Sequence, residues 1–314
     1  MRCIRYSHFG GPDVLEWCEV PLPEPGPGQV RLRVAGAGVN PIDYKTRSGL
    51  GFAAQALGAS FAFVPGYDVS GVVDALGEGV DDRVFGEALY GMVNFPLPAG
   101  AYSEFVVAAV SDLAPAPTRV SLAQAAGLPL AGMTAWQALF DVGQLQAGER
   151  VLVLAGAGGV GHLATQLAAW KGAHVSATAS AAKHDFLRQH GVQQPLDYRD
   201  PVALQQSGPW DLILDLMGGA VGVQALDWLA DGGRLVTVPT NTAAQLLERG
   251  TAAGRRVLAI RVQPSADQLG ELAKWVDAGQ LRLHVSATLP LRDASHAHTL
   301  IEQGHVQGKL ILVP

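Results

Sequence analysis

The run Gly156-Ala157-Gly158-Gly159-Val160-Gly161 constrains this chain more than any other feature, because of what stands on either side of it. It follows directly on Val151-Leu152-Val153-Leu154, a short apolar stretch of the kind a buried strand needs. It opens onto Val160–Trp170, where Val160, Leu163, Ala164, Leu167 and Ala168 recur at helical spacing. Glycine is abundant, at 38 of 314 residues, so the bare spacing G-x-G-x-x-G carries little weight. A strand, a glycine turn and a helix in that order carry far more. Gly156 suits a tight strand-to-helix turn, Gly158 lets backbone approach a pyrophosphate, and Gly161 permits close packing of helix on strand. The helix N-terminus then offers unpaired amides and the positive end of its dipole to phosphate. The turn therefore predicts a dinucleotide site formed by Gly156, Ala157, Gly158, Gly159, Val160 and Gly161.

The end of the next strand discriminates between dinucleotides. A site for NAD places an acidic residue there, about 20 residues beyond the turn, to hold the ribose 2′-hydroxyl. Here the strand closes with Ser176-Ala177-Thr178-Ala179-Ser180, and the first carboxylate after it is Asp185. Ser180 and Lys183 follow instead, with His184 and Arg188 close behind. A hydroxyl and an ammonium suit a 2′-phosphate, which a carboxylate would repel. The expected cofactor is NADPH (NADP). The plain alternative for Lys183 is a solvated helix residue.

Strand and helix patterns alternate around the turn. Candidate strands are Arg150–Ala155, His174–Thr178, Gln193–Leu196, Leu212–Leu216, Arg234–Val238 and Val257–Val262, with helical stretches between most of them. Six short apolar runs separated by helices predict a Rossmann doubly wound parallel sheet, covered on both faces, in an α/β fold. Ser121 is placed to cap a helix, and Thr134 to Phe140 continues as helix. Residues 1–120 have a different texture. Short runs such as Val30–Val34, Val69–Val73 and Phe105–Val107 alternate with Gly and Pro, which reads as an irregular β-barrel or sandwich. Pro21–Pro27 has too few amide donors for a central strand. After 262 the chain holds helices around Ala266–Asp277 and Ala294–Gln303, then the strand Lys309–Val313, and is expected to rejoin the first domain. The expected domains are thus 1–120, 121–262 and a returning 263–314.

Composition excludes several function classes. A hydrophobic content of 48% with 16% charged residues describes a well-buried globular protein. The net charge of −6, without a Lys/Arg-rich run, argues against nucleic acid as a partner. Prolines 115, 117 and 129 break the apolar stretch between Phe105 and Phe140, so no membrane span is expected there. The first residues lack an apolar core of signal-peptide length, and a cytoplasmic protein is expected. The two cysteines, Cys3 and Cys18, suggest neither a disulfide framework nor metal-ligand spacing, and small buried residues in a reducing compartment are the default reading.

Several ordered motifs extend the argument beyond the turn. They are Ala37–Lys45, Pro65–Val73, Gly100–Phe105, Gly132–Trp136, the glycine turn, and Leu196–Arg199. On these segments the chain resembles, over essentially its whole length, the zinc-independent quinone oxidoreductases of the medium-chain dehydrogenase/reductase superfamily, the zeta-crystallin-like branch. Around Gly77–Arg83 the family pattern is abbreviated. The resemblance implies a GroES-like β-barrel catalytic domain built from the N-terminal region and the tail, with the nucleotide domain between. It implies an NADPH-dependent two-electron reduction of quinones or activated enones. Carried over by position, Asn40 and Thr134 would lie beside the nicotinamide, and Ser180, Lys183 and Tyr198 would hold the 2′-phosphate. Val238-Pro239-Thr240 would line the nicotinamide pocket, and Lys309 would approach the cofactor.

Zinc-dependent relatives carry a thiolate and an imidazole as catalytic ligands. This chain has Asn40 where they carry the Cys, and Gly66-Tyr67-Asp68 where they carry Gly-His-Glu. None of its nine histidines sits at a spacing that supplies three converging ligands, so no metal is expected. Without a Lewis acid to stabilise an alkoxide, the chemistry shifts toward acceptors that take hydride readily. The protein's part is positioning and exclusion of water. The resulting hydroquinone anion or enolate needs a proton, from water or from Tyr44, Lys45 or Tyr67, and a protonated lysine would also stabilise an oxyanion. The plain alternatives are Tyr67 as a packed barrel residue and Asp43–Lys45 as a local ion pair. Gly49–Leu57 and Leu89–Pro98 are expected pocket-rim loops.

Two other readings stay open. One is an enone or 2-alkenal double-bond reductase on the same fold. The other is a non-catalytic NADPH-binding redox sensor. Val257–Val262, as the last strand of its sheet, leaves an apolar edge, and pairing with a two-fold mate into a homodimer would cover it.

Overall fold

The computed structural model describes residues 1–57 and 62–314, and the chain in it forms two compact units. Unit one combines Met1–Met133 with Gln263–Pro314, and unit two is Thr134–Val262.

Unit one begins with an antiparallel ribbon of β1 (Arg2–Arg5) and β2 (Glu16–Glu19), whose register sets Cys3 opposite Cys18. Residues 21–26, short of amide donors, join neither helix nor strand. Then come β3 (Gln29–Val39), α1 (Pro41–Arg47), α2 (Gly51–Ala56), β4 (Asp68–Leu76), β5 (Ala88–Met92), β6 (Phe105–Ala109) and β7 (Leu113–Pro115). α3 (Leu122–Ala125) starts where Ser121 predicts: its Oγ accepts from the Gln124 amide at 3.2 Å while the Gln124 side chain accepts from the Ser121 amide. The two units divide within α4 (Pro129–Trp136), beyond position 121 where the sequence texture changes, because α3 packs on β3 and β4.

Thr134–Phe140 is not one α-helix. After Trp136 the backbone widens into a π-helical stretch, Gln137–Val142, with the Gly143 amide reaching back to Ala138 O. Arg234 holds this widened end from within unit two. Its guanidinium donates to Gly143 O, to Gln144 O and to both carboxylate oxygens of Glu149.

Unit two continues with β8 (Arg150–Val153), α5 (Gly161–Trp170), β9 (His174–Ala179), α6 (His184–Gln189), β10 (Gln194–Asp197), α7 (Pro201–Ser207), β11 (Trp210–Asp215), α8 (Gly219–Ala225), β12 (Leu229–Thr237), α9 (Thr240–Ala252) and β13 (Arg256–Ala259). All strand pairs are parallel, in the order β10-β9-β8-β11-β12-β13. This is the doubly wound order, reversing between β8 and β11. Leu152, Ile213, Leu235 and Trp210 are wholly buried, which is why these strands read as continuous apolar runs. Each such side chain contributes about 1.5–3 kcal/mol on burial. β11 begins two residues earlier than Leu212 because Trp210 anchors this core. β13 ends at Ala259, although Ile260 and Val262 beyond it are buried.

The tail supplies α10 (Ala266–Asp277), β14 (Val285–Pro290), α11 (Ala294–Glu302) and β15 (Lys309–Val313) to unit one. Its sheet runs β14-β15-β3-β4-β5-β7, and β6 pairs with the first half of β3. β14 was not foreseen, although Val285, Ala287 and Leu289 alternate with more polar neighbours at strand period. Among the described residues no helix is long and apolar enough to cross a membrane.

Candidate functional site

The glycine turn sits at the C-terminal end of β8, beside the point where the strand order reverses. Its left-handed backbone falls on Ala155, φ 55°, and not on Gly156 as a tight-turn role would suggest. That conformation costs a non-glycine residue about 1 kcal/mol. Thr178 of β9 secures it, its Oγ1 accepting from the Ala155 amide at 2.9 Å and its carbonyl from Gly156 at 2.8 Å. Gly156 is required for space, since a Cβ there would lie 2.6 Å from Ala177 Cβ. A Cβ on Gly161 would lie 2.3 Å from Ala155 O, which keeps α5 close to the turn. At Gly158 the only atom within 4 Å of an added Cβ is Ala155 O, at 3.3 Å. Among the described residues no side chain packs where that Cβ would lie. No side chain caps α5, which starts behind Val160. The turn thus fits a dinucleotide pyrophosphate on bare amides.

Toward the adenosine end, β9 closes at Ala179 and Ser180 caps a short 3-10 turn in which the Lys183 amide bonds Ser180 O at 2.8 Å. The Tyr198 amide bonds Ala179 O at 3.3 Å, so register with β10 brings Tyr198 beside the end of β9, next to Ser180. Burial lowers the pKa of the Lys183 ammonium. The same register brings a carboxylate that a single-strand reading missed, because Asp197 lies opposite Ala179. Arg199 pairs with both its oxygens, at 3.0 and 2.7 Å, and holds the carboxyl well below the usual range. Arg199 also lies over the Tyr198 ring, 5.7 Å from its centroid. The local acid is therefore matched by Arg199.

On the other side of the reversal, Asp215 ends β11 fully buried. It accepts from the amides of Met217 (2.9 Å) and Gly218 (2.8 Å) and from Thr237 Oγ1 (2.8 Å), fastening the ends of β11 and β12 together. The Val238 amide bonds Asp215 O at 3.0 Å, Val238 is half-buried, and Thr240 is exposed at the start of α9. Met217, 54% exposed at this edge, is a residue the sequence reading did not single out. Thr134 is buried in α4.

The remaining candidates gather in unit one. Asn40 links β3 to α1 and is 1% exposed. Its Oδ1 accepts from Lys309 Nζ and its Nδ2 donates to Asp68 Oδ2 at 2.9 Å, so the carboxamide can face only one way. Lys309 is enclosed behind Asn40, bonds Val39 O at 3.0 Å and lies 3.8 Å from Asp68 Oδ2. Burial lowers the pKa of its ammonium, and Asp68 and Asp43 oppose that fall. The Asp68 Oδ1 accepts from the Leu130 amide at 2.8 Å.

Asp43 does not pair with Lys45. It turns inward, where its Oδ2 accepts from the Asn40 amide at 2.8 Å as a helix cap and from the Tyr102 hydroxyl at 3.2 Å. Residues two apart on a helix do not face each other, so Lys45 points elsewhere. Behind Tyr102 stands His298, with its Nε2 3.3 Å from the hydroxyl and its Nδ1 3.4 Å from Arg47. A guanidinium only donates, so Nδ1 accepts and Nε2–H points at Tyr102. Burial and Arg47 push His298 down to about 3, leaving it neutral. Burial pushes Asp43 up to about 7 and Asp68 up to about 6.

Tyr67 is buried with its hydroxyl 3.4 Å from Pro96 O, and its pKa is raised by burial and by Asp43. Three enclosed atoms nearby, Tyr6 Oη, Asp43 Oδ1 and Thr46 Oγ1, have no protein partner among the described residues. An unsatisfied group of this kind costs about 1–3 kcal/mol unless water or a ligand completes it. Tyr44 and Lys45 are half-buried. Burial raises the Tyr44 phenol, with Glu302 adding to the rise, and burial lowers Lys45.

Of the expected rim loops, Gly51–Ala56 is helix α2, Leu89–Met92 belongs to β5, and Val93–Pro98 is loop. Phe95 packs edge-on against Phe52 (5.9 Å) and Tyr67 (5.2 Å), joining the two segments in an aromatic wall. Leu50 and Leu97 stand exposed at its margin. A zinc ion does not fit the group of Asn40, Tyr67 and Asp68. The amide oxygen is engaged by an ammonium, and that enclosed cation would repel a second one.

Comparison with known proteins gives this geometry its setting. Residues 26–118 match the family model described as alcohol dehydrogenase GroES-like domain, and residues 190–312 match that described as zinc-binding dehydrogenase. The NADPH-dependent alkenal/one oxidoreductase of Arabidopsis thaliana chloroplasts is 32% identical over 324 residues, covering 100% of this chain and 80% of that protein. The solved quinone oxidoreductase from Coxiella burnetii superposes with a TM-score of 0.96 at 40% identity, over 100% of this chain and 99% of that one. The Escherichia coli quinone oxidoreductase, solved in complex with NADPH, has a TM-score of 0.86 at 26% identity over 100% of both chains. The nucleotide fold, the GroES-like domain and these full-length likenesses lead to one conclusion: the chain belongs to the quinone oxidoreductase family of the medium-chain dehydrogenase/reductase superfamily.

Proposed function

We propose that this protein reduces quinones, or enones of similar electron demand, by hydride transfer from NADPH and without zinc. The observation that carries the reading is the fixed carboxamide of Asn40. Held by Lys309 on its oxygen and Asp68 on one N–H, it keeps a single N–H for a bound group and offers no metal ligand. A site of this kind orients a reactant and lacks the Lewis acid that alcohol oxidation needs. Reduced nicotinamide supplies the hydride, while the chain holds the phosphates on the turn at 156–161 and the 2′-phosphate among Ser180, Lys183, Tyr198 and Arg199. The names of the relatives, quinone oxidoreductase and NADPH-dependent alkenal/one oxidoreductase, support both acceptor classes.

Among the three candidate proton donors, Tyr67 is favoured. It packs directly on Phe95 in the aromatic wall that Phe52 shares. The wall suits a planar acceptor, whose ring would pack against Phe95. Among the described residues β13 pairs on one side only, with β12, and Val257 and Leu258 are half-buried there. A second copy of the chain would complete that edge, giving a homodimer. The deciding experiment follows NADPH and NADH oxidation spectrophotometrically against naphthoquinones and α,β-unsaturated ketones. Turnover with NADPH is expected, and protein that binds NADPH yet reduces neither acceptor class would overturn the reading.

A further inference from the structure

Cys3 and Cys18 are the only cysteines of the chain and stand fifteen residues apart, yet the ribbon of β1 and β2 sets them directly opposite each other. Their sulfurs lie 3.4 Å apart, both as free thiols. Met1 and Val20 exchange both backbone hydrogen bonds at the end of the ribbon, so two steps along Cys3 and Cys18 again form a hydrogen-bonded pair. Cα atoms of such a pair are about 5.5 Å apart, within the range a disulfide spans. Closing the bond then requires the sulfurs to approach, with the strands already in place. The two thiols are unequal in access. Cys3 is fully enclosed, while Cys18 on the outer strand is half-buried.

We propose that Cys3 and Cys18 form a reversible redox site, closed to an intramolecular disulfide by a low-molecular-weight disulfide oxidant such as oxidised glutathione. The half-buried Cys18 thiolate attacks the oxidant, forming a mixed disulfide and releasing one reduced glutathione. Cys3 then attacks Cys18 Sγ, losing its proton and expelling the second reduced glutathione. Two thiols are oxidised, one disulfide is reduced, and two protons and two electrons pass to the oxidant. Burial, together with Cys18, pushes the Cys3 thiol up to about 12. Cys3 is therefore slow toward outside reagents and suited to the second, internal step, where proximity replaces ionisation. The site is independent of the acceptor the protein reduces. β1 also borders the buried cluster, because the Ile4 amide bonds Tyr102 O at 2.9 Å and the Glu104 amide bonds Arg2 O at 3.0 Å.

The test treats the folded protein with oxidised glutathione and reads intact mass and free thiols after denaturation. The expected product has lost two hydrogens, has no free thiol, remains monomeric in covalent terms on a non-reducing gel, and regains both thiols with dithiothreitol. With Cys3→Ser, a stable glutathione adduct should build up on Cys18. With Cys18→Ser, modification of Cys3 should be at least about tenfold slower than that of Cys18 in the first variant. Lasting glutathione on wild-type Cys18 with Cys3 still free would overturn the proposal. So would chain-to-chain disulfides, or two unreacted thiols after treatment that modifies Cys18 in Cys3→Ser.

Discussion

Gly158→Ala and Gly161→Ala add the same methyl group three residues apart, and the structure assigns them different consequences. At 158 the nearest atom to the new Cβ is Ala155 O at 3.3 Å, with nothing else inside 4 Å. A shift of a few tenths of an ångström accommodates it, at a cost to the folded chain below about 1 kcal/mol. At 161 the Cβ would meet Ala155 O at 2.3 Å, Gly156 Cα at 2.7 Å and Gly156 C at 2.8 Å. All three are backbone atoms, so the turn itself must move, and overpacking of this kind costs about 1–3 kcal/mol. For a domain the size of unit two, each kcal/mol lowers Tm by roughly 4 °C. Ligand binding sorts the variants differently. On the role proposed for the turn, a methyl at 158 would occupy the space of the pyrophosphate's approach, and a tenfold loss of NADPH affinity corresponds to about 1.4 kcal/mol. Thermal melts without ligand and fluorescence titration with NADPH separate the two effects. Gly158→Ala should melt with the wild type and bind NADPH at least about tenfold more weakly, whereas Gly161→Ala should lose on both counts. Unchanged NADPH affinity in Gly158→Ala would refute the role given to that position. A melt as low as that of Gly161→Ala would refute the steric argument.

Lys183→Ala should weaken NADPH binding by about tenfold or more, the loss of one charge-assisted hydrogen bond, and leave NADH binding unchanged. Equal loss with both nucleotides would remove Lys183 from the 2′-phosphate site. The Asp43 carboxyl, held up at about 7 against an ordinary value of 3.8, keeps its proton in the folded chain after the unfolded chain has lost it. The stability it contributes is full below the unfolded value and is lost as pH rises through about 7. Wild type should therefore gain on Asp43→Asn between about pH 8 and about pH 5, by at most about 1.4 kcal/mol per unit. Denaturant melts that differ by the same amount at both pH values would contradict this. Leu258→Lys, on the half-buried edge strand β13, should convert a dimer into monomers by light scattering, and a wild-type monomer at working concentration would refute the pairing.

The features legible in the sequence were those written in local periodicity. The strand, turn and helix around Gly156–Gly161, the capped start at Ser121, helix Ala266–Asp277 and strand Lys309–Val313 each announce themselves within a dozen residues. The buried network of unit one does not. Asp43, Tyr102 and His298 come from three distant stretches, and each alone has an ordinary reading: a helix acid, a packed phenol, a scattered histidine. Register hides in the same way. Asp197 lies beyond the second strand in sequence but beside its end in space, and Cys3 and Cys18 meet only because β1 and β2 pair as they do. The strain on Ala155 had no sequence signal, since Gly156 next to it drew the expectation of the tight turn.

The contact between Asn40 and Lys309 spans 269 residues, and all of unit two lies within that interval. On a ribosome adding about 5–20 residues per second, this delays the ammonium by roughly ten to fifty seconds after Asn40 appears. Unit two, whose strands pair among themselves, can close during the wait. Unit one cannot, because β15 must still enter beside β3 and bring Lys309 to the buried Asp68 carboxyl. Until it does, the groove in β3's edge is an open template for any strand that fits. The last strand made is thus the one that finishes the floor beneath Asn40, and a nascent chain released or cleaved before Lys309 would carry a complete Rossmann unit and an unfinished GroES-like one.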